Sequence, residues 1–189
     1  HGSADGELDR PAGIAIGQEE TIYIVDSRNN RVQRFSLDGK FLGKFGAAGS
    51  ANGEFNLPWG ICLDRERNVY VADWKNNRVQ KLDAEGRFLV MFQGNDNGVG
   101  DLHGPTGVAV DSEGDVYVTD WGNHRVQVQN LGPGHQAIGI GRVGGFEQEF
   151  LPFVIDDLHH GLAVLGHHHG QVGVLAAGLV SVIASAVGS

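Results

Sequence analysis

Cysteine and methionine occur once each in the 189 residues, as Cys62 and Met91, and proline only five times. A single cysteine excludes an internal disulfide framework and a multi-cysteine zinc site. Basic residues are also scarce. The 14 Lys and Arg stand against 23 Asp and Glu, a formal net charge of −9, so the surface as a whole offers neither a nucleic-acid face nor a patch for anionic lipid. Long apolar runs are missing too. Gln171 to Ser189 carries no charge, but Gly173, Gly178, Ser181 and Ser185 dilute it below the ~20 strongly apolar residues of a spanning helix, so no membrane contact is expected. There is no nucleophile elbow, no phosphate loop and no secretory-signal pattern near His1, and no compartment is assigned. What abounds is glycine, 30 of 189 residues, more than double the usual ~7%. That content disfavours a helical bundle.

Self-comparison reveals a period of 47 residues: Pro11, Pro58 and Pro105 recur at that spacing, as do Gly6, Gly53 and Gly100. Asp26, Asp73 and Asp120 keep the same register, and so do Arg31, Arg78 and Arg125, each arginine followed by Val-Gln. A fixed period of this length marks a solenoid or a propeller. Within a copy the apolar residues alternate with period 2 in short segments, which predicts strands. In the second copy these are Gly60–Leu63, Val69–Ala72, Arg78–Leu82 and Phe88–Phe92, with turn-forming residues in each gap. Four short antiparallel strands per repeat predict an all-β chain, a β-propeller of four-stranded blades.

The strings YIVDSRNNRVQ, YVADWKNNRVQ and YVTDWGNHRVQ, each behind a Pro-x-Gly-aliphatic strand, resemble NHL repeats, the blades of six-bladed propellers. The resemblance covers residues 6–131 as three blades. It assigns 132–189 to the end of the third blade and then a degenerate fourth blade or a non-native tail. There Pro152 and Gly161 keep the period, but His167 and Val172 stand where Asp and Arg are expected. At ~47 residues per blade a six-bladed ring needs on the order of 280 residues, so about four blades form a partial or truncated ring, with self-association as a way to complete it.

The repeated pairs Asp26 with Arg31, Asp73 with Arg78, and Asp120 with Arg125 are expected to be structural. Five residues apart across a tight loop, carboxylate and guanidinium can meet within or between blades, and repeats spend shared residues on their own interfaces. Positions that differ between copies are the binding candidates: Trp74 and Trp121, where the first copy has Ser27, together with Lys75 and His124. The equal period places Trp74 and Trp121 on one face. Trp59 is expected to pack between blades. Six of nine histidines lie beyond residue 131 (His135, His159, His160, His167, His168 and His169), but consecutive histidines on a strand point to opposite faces, which does not build a three- or four-ligand site. No catalytic residue, metal site or cofactor is assigned.

The resemblance implies an interaction scaffold that binds a protein or small ligand on its loop face. One alternative it implies is a metal-dependent lyase or lactonase-like enzyme, which needs histidines from several blades around a channel. The three good blades offer no matching set. The other is an RNA-binding propeller, which residues 1–131 disfavour with 13 Lys and Arg against 19 Asp and Glu.

Overall fold

The computed structural model describes residues 1–94 and 100–129, and, as backbone alone, the strand segments 139–142, 163–168 and 171–176. Three four-stranded antiparallel sheets follow one another along the chain. The first holds β1 (Pro11–Ile16), β2 (Thr21–Asp26), β3 (Arg31–Ser36) and β4 (Phe41–Phe45) in that spatial order. The second holds β5 (Pro58–Leu63), β6 (Val69–Asp73), β7 (Arg78–Leu82) and β8 (Phe88–Phe92), and the third β9 (Pro105–Val110), β10 (Val116–Asp120), β11 (Arg125–Gln129) and β12 (Gly139–Arg142). Each is a simple meander, the blade that the repeat predicts. Most of the expected fourth copy lies outside the described residues; two of its segments, β13 (Ala163–His168) and β14 (Gln171–Ala176), pair as a hairpin.

Each inner strand begins two residues before the expected Gly, at its proline. Pro11, Pro58 and Pro105 pair with Asp26, Asp73 and Asp120 across an irregularity in the ladder. A strand's first residue tolerates proline because no ladder donor is needed there. The middle hairpin of every blade turns through one 3-10 turn, at Ser27–Asn29, Trp74–Asn76 and Trp121–Asn123, and then a left-handed residue: Asn30, Asn77 or His124, each at φ 53°. Asn and His are among the side chains that occupy this region most readily.

The core lies between blades. Ala15, Tyr23, Val25, Val32 and Phe45 of the first blade meet Ile61, Leu63, Val69, Val71 and Leu82 of the second. Cys62, Tyr70, Ala72, Val79 and Phe92 on the second blade's other face meet Val108, Val110, Val116 and Val118 of the third. Alternation along each strand thus serves both neighbours. Phe55 and Leu102, from the linkers, are wedged into these two layers. The inner strands approach so closely that a Cβ on Gly60 would sit 2.6 Å from the Thr106 carbonyl oxygen. Only glycine fits there.

At the end of the second blade away from the 3-10 turn, Asp64 accepts from the Asn68 backbone and side-chain N–H at 2.7 and 2.8 Å and from the Tyr70 hydroxyl at 3.1 Å, and pairs with Lys81 at 3.1 Å. Burial alone would raise its carboxyl, but the Asn68 bonds and the Lys81 ammonium outweigh it and hold the group below the ordinary carboxylate range. In the third blade Tyr117 donates to Asp111 at 3.0 Å, and burial, then the Asp111 carboxylate, push its hydroxyl up to about 12.

Two outcomes follow from this packing. Asp64 ionises more readily folded than unfolded, where its value is about 3.9. Its contribution to stability is therefore complete above that pH and is lost as pH falls through the lower folded value. Asp64→Asn should remove that part of the acid dependence of the unfolding free energy, and an unchanged pH profile would refute the assignment. The Cys62 thiol is buried and pushed far up, first by burial and then by Asp64. It should resist a thiol reagent until denaturant unfolds the second blade; stoichiometric labelling of folded protein would contradict the packing described.

Candidate functional site

At one end of each blade the last residue of the second strand opposes the first of the third: Asp26 with Arg31, Asp73 with Arg78, Asp120 with Arg125. The ion pairs form within a blade, with Nε to Oδ2 distances of 2.7, 2.8 and 2.7 Å. All three carboxylates are fully buried. In the second blade Asp73 Oδ2 also accepts from Asn76 at 2.8 Å, while Oδ1 accepts from the Asn56 backbone N–H at 2.7 Å. Arg78 spends its other donors on the carbonyls of Ser50, Ala51 and Glu54, each at 2.8 Å. Gln80, also buried, accepts from the Gly53 N–H and donates to the Glu54 carbonyl at 2.9 and 2.7 Å. The first blade repeats the set bond for bond, with Asp26, Asn29, Arg31 and Gln33 gripping residues 2–9. In the third, Asp120 binds the His103 N–H, and Arg125 binds the carbonyls of Gly100 and Asp101. The ensemble is a clamp that fastens each incoming linker to its own blade. Recurrence at 47 residues was the signal for Gln33, Gln80 and Gln127, although sequence reasoning gave them no part.

The junction between blades uses a residue that sequence reasoning passed over. Asn30 Oδ1 accepts from the Leu57 N–H at 2.7 Å, and Asn77 Oδ1 from the Gly104 N–H at 2.8 Å. Each left-handed asparagine thereby staples its blade to the entry of the next. His124 holds the same place and the same φ in the third blade and is exposed.

Outside the clamps the same loops form a surface. Trp74 and Trp121 begin equivalent turns, and both flank Gly104: a Cβ there would lie 2.9 Å from Trp74 Nε1 and 3.7 Å from Trp121 Cε3. That residue has φ +62° and is glycine for both reasons. The Trp59 ring meets Trp74 of its own blade, centroids 5.8 Å apart and planes tilted by 55°. Lys75 lies over the Trp74 face with Nζ 3.9 Å from the centroid, a cation–π contact. Trp121 is 43% exposed. His103 is placed against Gly122, whose N–H donates to the His103 carbonyl at 2.7 Å. The corresponding loop of the first blade presents Ser27, which is buried, and Arg28, 4.0 Å from Asp9. The aromatic surface therefore belongs to the second and third blades.

The NHL repeat model matches residues 8–35, 55–82 and 102–128. Over 43 residues the chain is 51% identical to protein lin-41 of Caenorhabditis elegans, a stretch that is 23% of this chain and 4% of that protein. Among solved structures, a chain of the nidogen/laminin complex aligns with a TM-score of 0.58 at 24% identity, covering 83% of this chain and 56% of that one. Virginiamycin B lyase from Staphylococcus aureus aligns with a TM-score of 0.53 at 15% identity, covering 81% and 47%. The chain thus spans about half of these solved chains and a small part of lin-41. The fold is a β-propeller, and the described blades make up part of a ring.

The clamp geometry generates a stability test. Asp73→Ala leaves the buried Arg78 guanidinium without its partner and should cost roughly 3–5 kcal/mol. Asp120→Ala should cost less, because the Arg125 side chain keeps 18% exposure against 4% for Arg78. Urea unfolding measures both, and an unchanged midpoint for Asp73→Ala would remove the clamp from the stability of the blade.

Proposed function

We propose that this chain, a run of three NHL repeats, is an interaction module that binds a protein or other ligand on the loop face bearing Trp74, Trp121, Lys75 and His124. The observation that supports this reading is the row of indoles crossing two adjacent blades, Trp59 against Trp74 and Trp74 beside Trp121 across Gly104. Fixed aromatic rings bury large area at little cost in conformational entropy, and they are enriched among residues that dominate binding energy. Their loops are pinned at both ends by the buried clamps, so the surface is preorganised rather than mobile. Lys75 adds a positive charge in a chain of net charge −9, which favours a partner carrying a carboxylate near an apolar group.

Panning a random peptide library on the intact chain, with counter-selection on Trp74→Ala/Trp121→Ala, tests the reading. Selected peptides should bind the intact chain and lose about 30-fold or more in affinity on the double variant, the equivalent of one hot-spot side chain at ~2 kcal/mol. The unfolding transition of that variant should shift less than its binding. Peptides indifferent to both indoles, or no enrichment over the double variant, would overturn the proposal.

A further inference from the structure

A guanidinium carries five N–H donors, and in Arg78 each has an acceptor, though the acceptors are of unequal quality. Nε binds Asp73 Oδ2, Nη2 binds the carbonyls of Ala51 and Glu54, and Nη1 binds the carbonyl of Ser50, all at 2.8 Å. The remaining Nη1 donor is directed at the thioether sulfur of Met91, 3.9 Å away. A thioether is a weak acceptor. A buried cation, 3% exposed, is thus left with one poorly matched donor.

Met91 lies on β8, the last strand in the second sheet's order, and pairs with Gln80. It is 39% exposed and belongs to neither of the two apolar layers. The first blade has Lys44 at the same place, opposite Gln33, and that ammonium pairs with Asp5 of the linker that Arg31 grips. One position beside the linker therefore carries a charge in the first blade and the chain's single methionine in the second. A methionine sulfur that peroxides can reach is converted to a sulfoxide, which replaces an apolar side chain by a polar one. Here that change takes place against the one donor of Arg78 that lacks an oxygen.

We propose that Met91 is an oxidation site whose sulfoxide oxygen is captured by Arg78 Nη1, so that hydrogen peroxide tightens the second blade's hold on its linker. The sulfur lone pair attacks one peroxide oxygen, and the S–O bond forms as the O–O bond breaks. The proton on the transferred oxygen passes to the departing one, and water leaves. Sulfur loses two electrons and the peroxide gains them. Because the thioether side chain is flexible and its sulfur already stands 3.9 Å from Nη1, the new oxygen can turn in to the nitrogen without any shift of the clamp. A hydrogen bond from an ionised donor is roughly twice as strong as a neutral one. Oxidation of a core methionine loosens packing, but Met91 is outside both apolar layers, so the gain of the bond decides the sign. The site belongs to the clamp and does not depend on the ligand proposed for the indole surface.

Treatment of the intact, folded chain with hydrogen peroxide is the test, read by peptide mass mapping, urea unfolding and amide hydrogen exchange. Met91 should gain one oxygen while the buried Cys62 stays a thiol. The urea midpoint should move upward, and exchange across residues 50–54 should slow. Reduction of the sulfoxide by methionine sulfoxide reductases acting on both epimers should return both readouts to their starting values. Met91→Leu should show no peroxide-dependent shift, which separates Met91 from oxidation at the indoles. Met91→Gln, whose amide oxygen takes the place of the sulfoxide oxygen, should unfold at higher urea than Met91→Leu with no oxidant present. Met91 left unoxidised in the folded chain overturns the proposal, as does a midpoint that falls or stays unchanged on oxidation. A Leu variant that shifts with peroxide as the parent chain does, or a Gln variant no more stable than the Leu variant, overturns it equally.

Discussion

A buried carboxylate organises each blade. Asp73 is fully removed from water, and a guanidinium, an amide side chain and a backbone N–H converge on it, the partners that a buried carboxylate requires. Satisfying one oxygen ties the two middle strands together at their turn, and satisfying the other draws in the linker from the preceding blade. Arg78 and Gln80 complete the arrangement by donating to the linker carbonyls of residues 50, 51 and 54. The linker is irregular backbone, and such backbone is stable near a core only where its polar groups find partners.

Stability then propagates by contact between neighbours. Every blade has two apolar faces, and neither is complete without an adjacent blade, as in other repeat architectures whose energetics divide into units and interfaces. The Asn30 and Asn77 staples add direction to these interfaces, because each joins the turn of one blade to the entry of the next. A closed ring covers every face. Ile14 and Ile16 of the first blade are exposed, whereas Ile61 and Val108, each packed against a preceding blade, are buried.

The loop surface is built on this frame without sharing its chemistry. Asp73 and Arg78 face inward, while Trp74 and Lys75, their immediate neighbours along the turn, face outward. Residues common to all copies hold the scaffold, and residues that change between copies decorate it. Ser27 in place of the two tryptophans is why the aromatic surface covers two blades and stops at the first.

Periodicity carried most of the architecture in plain view. A 47-residue period, alternating apolar residues and turn-forming gaps are local properties, and local backbone preference suffices to define strands, their order within a blade and the equivalence of Trp74 with Trp121. The expected second-blade strands agree with the structure except that β5 begins at Pro58 and β6 reaches Asp73, because those residues pair with each other across a bulge that no pattern of hydrophobicity records. What only the tertiary structure decided are the contacts between segments distant along the chain. Whether Asp and Arg meet within or between blades, that Gln33, Gln80 and Gln127 are interior groups, that Asn30 and Asn77 join neighbours, and that Trp59 turns to its own blade's Trp74 all depend on where the linkers pass. Those positions are set by how closely the inner strands can approach and which buried donors must be satisfied, quantities that exist only once the blades are packed together.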